Sequence, residues 1–195
     1  MIGVHLVGDV QAFGRTLPVY AHTIAHPDGL VLVDTGMVSS HPLVEDDWHP
    51  RGYPENIPRD VVAVVNTHLH FDHCGGNVLF PGVPIHVQRC ELADARANDE
   101  YTIREWVDFE GAACVEHYGE AELMPGVRLL PTPGHTAGHQ SVLVDGVGVI
   151  GGDVAYTFRE LGEGDTEGRR RVLDLALPTW LAHVEHPKVP RRNRA

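Results

Sequence analysis

The chain has 195 residues, 43% hydrophobic and 22% charged, with 27 acidic against 15 basic side chains and a formal net charge of −12. That length suits one well-packed domain, expected to span residues 1–195, rather than two generous ones. The acidic balance argues against nucleic acid or an anionic membrane surface as the main partner, and no run approaches the ~18 apolar residues of a membrane span.

Met1-Ile2-Gly3-Val4-His5 lacks the basic region and apolar core of a signal peptide, so the cytoplasm is the expected compartment. Cys74, Cys90 and Cys114 are odd in number and widely spaced, against a disulfide framework. Residues 2–7, 19–25 and 30–33 read as strands, the last two joined by the turn His26-Pro27-Asp28-Gly29. Asp34-Thr35-Gly36 ends the third. Residues 39–59, rich in Pro, Asp and His, are expected to form a functional loop with one short helix. The β-branched run over 61–66 suits a strand buried on both faces. Gly75-Gly76-Asn77 opens a turn or short helix, 85–88 is a strand, and 90–98 a helix. Residues 126–131, 141–144 and 147–150 are further strands. Residues 160–171 read as loop, with Arg169-Arg170-Arg171 a solvated basic run. Residues 178–182 form a last short strand, and Arg191-Arg192-Asn193-Arg194 a solvated tail. Strands with helices between them fit two sheets covered by helices.

Thr67-His68-Leu69-His70-Phe71-Asp72-His73 follows the apolar run Val61-Val62-Ala63-Val64-Val65. A strand end places His68 and His70 on one side, towards one metal. A turn after His70 directs Asp72 and His73 towards a second. Imidazole nitrogens and carboxylate oxygens are the donors zinc takes, at roughly 2.0–2.2 Å. Three later pieces complete such a site. Thr132-Pro133-Gly134-His135 presents a His from a tight turn. Gly151-Gly152-Asp153 offers a carboxylate able to bridge two ions. Trp180-Leu181-Ala182-His183 ends an apolar segment with a His. Cys74 directly follows the cluster, but with enough His and carboxylate donors it is expected to be a small buried side chain.

The order His-x-His-x-Asp-His, Gly-His, Gly-Asp and a late His resembles the metallo-β-lactamase superfamily, from Asp34-Thr35-Gly36 to His183. The resemblance implies an α/β fold: an αββα sandwich of two mixed β-sheets flanked by helices, with a two-metal site at one edge. It implies that His68, His70 and His135 hold one zinc, that Asp72, His73 and His183 hold the other, and that Asp153 bridges them. His186 competes with His183; His183 is favoured because it directly follows the apolar strand, whereas His186 precedes Pro187 in the tail. Asp34 and His139 resemble groups that orient ligands by hydrogen bonds. The donor set suits two divalent ions, zinc first, with iron, manganese and cobalt also accepted.

Two divalent ions sharing a water lower its pKa towards ~7, so the expected chemistry is hydrolysis of an ester, lactone, thioester or amide. Asp153 stands where class B β-lactamases typically carry Cys. Glyoxalase II has a sizeable C-terminal helical region, and only twelve residues follow His183 here. The nuclease members need an added domain or a basic surface. The flavin-associated di-iron members usually have Glu where this chain has His70.

Asp153-Val154-Ala155-Tyr156, with His-Leu-His-Phe-Asp-His-Cys-Gly-Gly-Asn and Thr-Pro-Gly-His-Thr-Ala-Gly-His-Gln-Ser, resembles the quorum-quenching N-acyl-homoserine lactone lactonases. By that resemblance Tyr156 contacts a small-molecule lactone substrate and donates to its carbonyl oxygen. Asp72 receives or relays a proton. Trp106 and Phe109 approach an acyl-chain pocket, with core packing as their plainer role. The chain departs from the pattern in starting almost at its first strand and in a short 153–183 stretch, where Gly162-Glu163-Gly164-Asp165 replaces a longer helical segment. The alternatives are a glyoxalase II-like thioesterase and a metal store or sensor without turnover. A monomer or homodimer is expected.

Overall fold

A computed structural model describes residues 1–193, so Arg194 of the terminal basic run lies outside the described residues. The first sheet holds β1 (Ile2–Ala12), β2 (Arg15–His26), β3 (Gly29–Val33), β4 (Arg51–Gly52), β5 (Ala63–Val65), β6 (Pro84–Gln88) and β7 (Ala113–His117), in the order β4-β1-β2-β3-β5-β6-β7. The second holds β8 (Ala121–Met124), β9 (Val127–Pro131), β10 (Gln140–Val144), β11 (Gly148–Gly152), β12 (Thr179–Leu181) and β13 (Val184–Lys188), in the order β13-β12-β11-β10-β9-β8. Both sheets are mixed: β3, β5, β6 and β7 run parallel, as do β11 and β12, and the other pairs are antiparallel.

Strand alternation sorts the side chains into layers. Val31, Val33, Ala63 and Val65 meet Val127, Leu129, Val142 and Ile150 between the sheets. Leu32, Val64 and Ile85 turn to the other face, under Phe80, Ile103 and Trp106. That layer includes α1 (Pro42–Trp48), α2 (Phe71–Cys74), α3 (Arg89–Ala97) and α4 (Arg104–Val107). Leu130, Leu143 and Val149 of the second sheet pack on Leu161, Val172 and Leu173, from α5 (Phe158–Leu161) and α6 (Glu167–Leu175). The architecture is therefore the expected αββα sandwich. Burial on both faces explains why 63–65 reads as an unbroken apolar run.

Several local expectations are corrected. Residues 160–171 are loop only over 162–166, the rest belonging to two helices: Thr157 and Thr166 cap α5 and α6 by accepting from Glu160 N and Arg169 N, and α6 buries Val172 and Leu173. Arg169 is not solvated either. Its guanidinium donates to Val154 O at 3.0 Å, to Asp165 at 2.7 Å and to Glu160. The first strand runs on to Ala12, and β7, β8 and β13 add strands where none was expected. His186 lies in β13, not in a tail. Among the described residues, no helix is long and apolar enough to cross a membrane.

One edge of the sandwich gathers the strand ends that matter here. Asp34 follows β3, the 67–73 segment follows β5, His135 lies between β9 and β10, Asp153 follows β11 and His183 follows β12. Two backbone bonds stitch the sheets together at this edge, Gln140 N to Thr67 O at 2.8 Å and Tyr20 N to Ala182 O at 2.8 Å, while Ala182 N to Gly152 O at 3.1 Å ties the end of β12 to β11.

Candidate metal centre

Asp34 leaves β3 with φ +60°, a left-handed conformation that costs a non-glycine residue roughly 1–3 kcal/mol. Its carboxylate offsets that cost. It accepts from Thr67 N at 2.7 Å and Thr67 Oγ1 at 2.8 Å, and faces His73 Nδ1 at 2.8 Å. With its proton given to Asp34, the Thr67 hydroxyl is an acceptor for His68 Nδ1 at 3.1 Å. Each ring thereby commits its Nδ1 to a fixed partner and turns its Nε2 into the site. Gly152 is required here because a Cβ would lie 2.6 Å from Thr67 Oγ1 and the φ is +55°. Close approach of β11 to the 67–73 segment is what delivers Asp153.

The ring nitrogens converge. His70 Nδ1 lies 3.1 Å from His68 Nε2 and 2.9 Å from His135 Nε2, three ring nitrogens with too few protons to bond one another fully. His73 Nε2 is buried with no hydrogen-bond partner among the described residues; Asp153 Oδ2 stands 3.5 Å away and Asp72 Oδ2 3.7 Å. His183 donates its Nδ1 proton to Pro18 O at 2.7 Å and turns Nε2 to Asp153 Oδ1 at 3.2 Å. Donor atoms of His68, His70 and His135 all lie within 4.8 Å of one another, as do those of Asp72, His73 and His183, and the set His68, His73 and Asp153 joins the two. Buried nitrogen and carboxylate donors in two triads joined by a third set, some of them without hydrogen-bond partners among the described residues, fit a pair of divalent ions.

Electrostatics agree with that fit. Burial, then the neighbouring His73, holds His68 well below the usual histidine range, and burial takes His135 down to about 4. These rings present lone pairs rather than protons. Burial alone would also depress His73, but Asp153, Asp72 and Asp34 outweigh it and hold that ring well above its usual range. Burial would raise Asp153, yet His183 and His73 outweigh it and hold the carboxyl well below the carboxylate range.

The remaining expected residues divide. His183 is buried with its ring in the site, whereas the His186 side chain is 80% exposed beside Glu185. Tyr156 stands between the triads, its ring centroid 5.6 Å from His135 and 5.3 Å from His183. Burial, with Asp153, Asp72 and Glu160, raises its phenol above the usual range. Asp34 does bond a ligand candidate. His139 does not: its Nδ1 pairs with Thr132 Oγ1 at 2.8 Å, and its ring packs 5.4 Å from His68. Trp106 is buried against His41 in the core and Phe109 packs on the same cluster. Neither is among the residues that line the cavity, because the sheet-side core claims both rings. Cys74 donates to Leu69 O at 3.4 Å, and burial pushes its thiol up to about 12, so it stays outside the donor set.

A cavity of about 760 Å³ opens over the triads. His70, Asp72, His135, Asp153, Tyr156 and His183 form its floor, while Val10, Leu17, Leu43, Val44, Trp48 and Phe71 form an apolar wall. The wall, and the buried Glu91 and half-buried Tyr101 beside the first triad, are not apparent in the sequence. Their only signal there is the short helix within 42–48 and an acidic residue early in α3.

Comparison with known proteins matches residues 14–161 to the metallo-β-lactamase superfamily. An N-acyl homoserine lactonase of a Bacillus species is 38% identical over 149 residues, 66% of this chain and 59% of that protein. One of Bacillus cereus is 33% identical over 165 residues, 72% of this chain and 65% of that protein. The chain thus spans about three fifths of the length of these curated relatives. A solved quorum-quenching N-acyl homoserine lactone lactonase superposes with a TM-score of 0.78 at 26% identity, covering 93% of this chain and 91% of that one. With two thirds of the chain's length matched, an αββα sandwich and the ligand triads at its edge, this chain belongs to the metallo-β-lactamase superfamily.

Proposed function

We propose that this protein is a hydrolase that opens the lactone ring of N-acyl-homoserine lactones with the help of two divalent ions, zinc being the metal its donors suit best. The observation that carries this is Tyr156, a hydrogen-bond donor set between the two triads and facing the cavity. A storage or sensor site has no use for such a donor. Similarity to proteins named as N-acyl homoserine lactonases supports the same substrate.

His68, His70 and His135 would hold one ion, Asp72, His73 and His183 the other, and Asp153 both. Bound there, the ions supply a water of lowered pKa and a Lewis acid for a carbonyl oxygen. Tyr156, kept protonated by burial and the nearby carboxylates, donates to the lactone carbonyl oxygen as negative charge grows on it. Asp72, on the cavity floor, takes up a proton and returns it to the alkoxide released when the ring opens. The apolar wall receives the acyl chain and keeps bulk water off the floor. The three cysteines are free thiols, which suits the cytoplasm.

The test is a pH-indicator hydrolysis panel on metal-replete protein: acyl-homoserine lactones, simple lactones, a glutathione thioester and a β-lactam. Fastest turnover is expected on the acyl-homoserine lactones. Thioester hydrolysis with the homoserine lactones left intact replaces the proposal with the glyoxalase II-like alternative.

A further inference from the structure

Glu91 lies at the third position of α3 with no exposure to solvent. A buried carboxylate is costly unless its oxygens are paired, and these are paired with three separate segments. Leu69 N donates to Oε1 at 2.8 Å, the Tyr101 hydroxyl donates to Oε1 at 2.6 Å, and Thr136 Oγ1 donates to Oε2 at 2.7 Å. Leu69 stands between His68 and His70. Thr136 follows His135. The Tyr101 ring packs 5.1 Å from that of His70. Every group bonded to this carboxylate therefore adjoins a member of one triad, His68–His70–His135, and none adjoins His183.

The loop that carries His135 is pressed onto the same helix turn. A Cβ at Gly138 would lie 2.4 Å from Glu91 N, so only glycine permits the approach. The first turn of a nine-residue helix also favours a negative charge at this position.

We infer that Glu91 is the positioning residue of the first triad. It clamps the 67–70 segment to the 135–136 loop, fixes the spacing of their ring nitrogens, and so sets the affinity of one metal position separately from the other. Asp34 has the matching place at His73. The inference rests on the two-ion site proposed above.

Glu91→Gln keeps the volume and one acceptor oxygen but removes the charge and sets an amide N–H against a hydroxyl that now donates. Thr136→Val and Tyr101→Phe each delete one bond of the clamp. Full-length protein loaded with two equivalents of Co²⁺ is titrated with a competing chelator, and its visible absorption is followed; a parallel His135→Ala protein identifies the first-triad step. In Glu91→Gln that step is expected to weaken about 10–100-fold with an altered absorption band, while the other step is unchanged. Thr136→Val is expected to give a smaller loss at the same step, which keeps the test alive should Glu91→Gln fold poorly.

Two ions released with wild-type affinity and spectrum from both variants would overturn the clamp. So would equal weakening of both ions together with a lower Tm of the metal-free protein, which marks general support of the fold. A wild-type chain that binds no Co²⁺ overturns the two-ion site itself, a failure distinct from that of the clamp.

Discussion

The floor and the wall of the cavity are built on different physical terms. Floor residues follow strand ends and are buried or half-buried, and the segments that carry them are held by hydrogen bonds: Thr67 N and the His73 ring to Asp34, Leu69 N and Thr136 Oγ1 to Glu91, and the His183 ring to Pro18 O. A shift of one of them strands a buried polar group, at a cost of about 1–3 kcal/mol each. The wall comes from the β1–β2 hairpin, α1 and Phe71 of α2. Its contacts are apolar, and Leu43 at 67% and Trp48 at 37% remain open to solvent. Apolar packing is non-directional, so Leu43 and Trp48 can change shape without penalty to the floor, whereas Val10, Leu17, Val44 and Phe71 are buried in the core. The chemistry is thus tied to the part that cannot drift, and substrate fit to the part that can.

Removing a floor donor is the strongest way to probe this division. Asp153→Ala is expected to lower lactone hydrolysis by about 10³-fold or more and to reduce bound metal, measured by elemental analysis. Tyr156→Phe should cost about 10²-fold in kcat with metal content unchanged; loss of metal along with activity would make the phenol a structural prop instead. Asp34→Asn, which leaves the His73 ring without its carboxylate partner, should weaken metal binding about 10–100-fold in chelator competition.

Wall changes should be milder and of another kind. Trp48→Ala is expected to raise KM several-fold for long acyl chains while kcat on a short simple lactone stays put. A fall in kcat on the short lactone would dissolve the distinction between wall and floor.

The smallest effect lies away from both. Burial holds the His22 ring down to about 3, and burial with the neighbouring His117 holds His86 down to about 4, each against an ordinary 6.5. The unfolded chain takes up these protons below about 6.5 and the folded one does not. Metal-free protein should therefore hold its stability above that pH and lose it as pH falls from 6.5 towards 4. His86→Asn should flatten part of that slope in thermal melts.

The same contrast explains what the sequence discloses. His68 to His73 and the turns at His135, Asp153 and His183 are legible because metal donors have few other reasons to sit after strands in that order. Asp34 is legible through its Asp-Thr-Gly turn. Glu91 is not, since an acid in the first turn of a helix is commonplace. The wall is not, since Leu43 and Trp48 sit in a Pro- and Asp-rich stretch without strand or helix period. Residues 160–171 mislead because Gly and Asp punctuate them, while the Thr166 cap and the buried pair Val172 and Leu173 are too short a pattern to stand out. Trp106 and Phe109 admit two readings because aromatic residues serve cores and pockets alike, and both rings lie with the core.

The hydrogen bond from His183 to Pro18 joins residues 165 apart in the chain. Such a contact carries a loop-closure cost. It also places His183 between the sheets, its backbone following β12 of the second and its ring bonded to a carbonyl of β2 in the first, so the second triad is sensitive to how the two sheets dock.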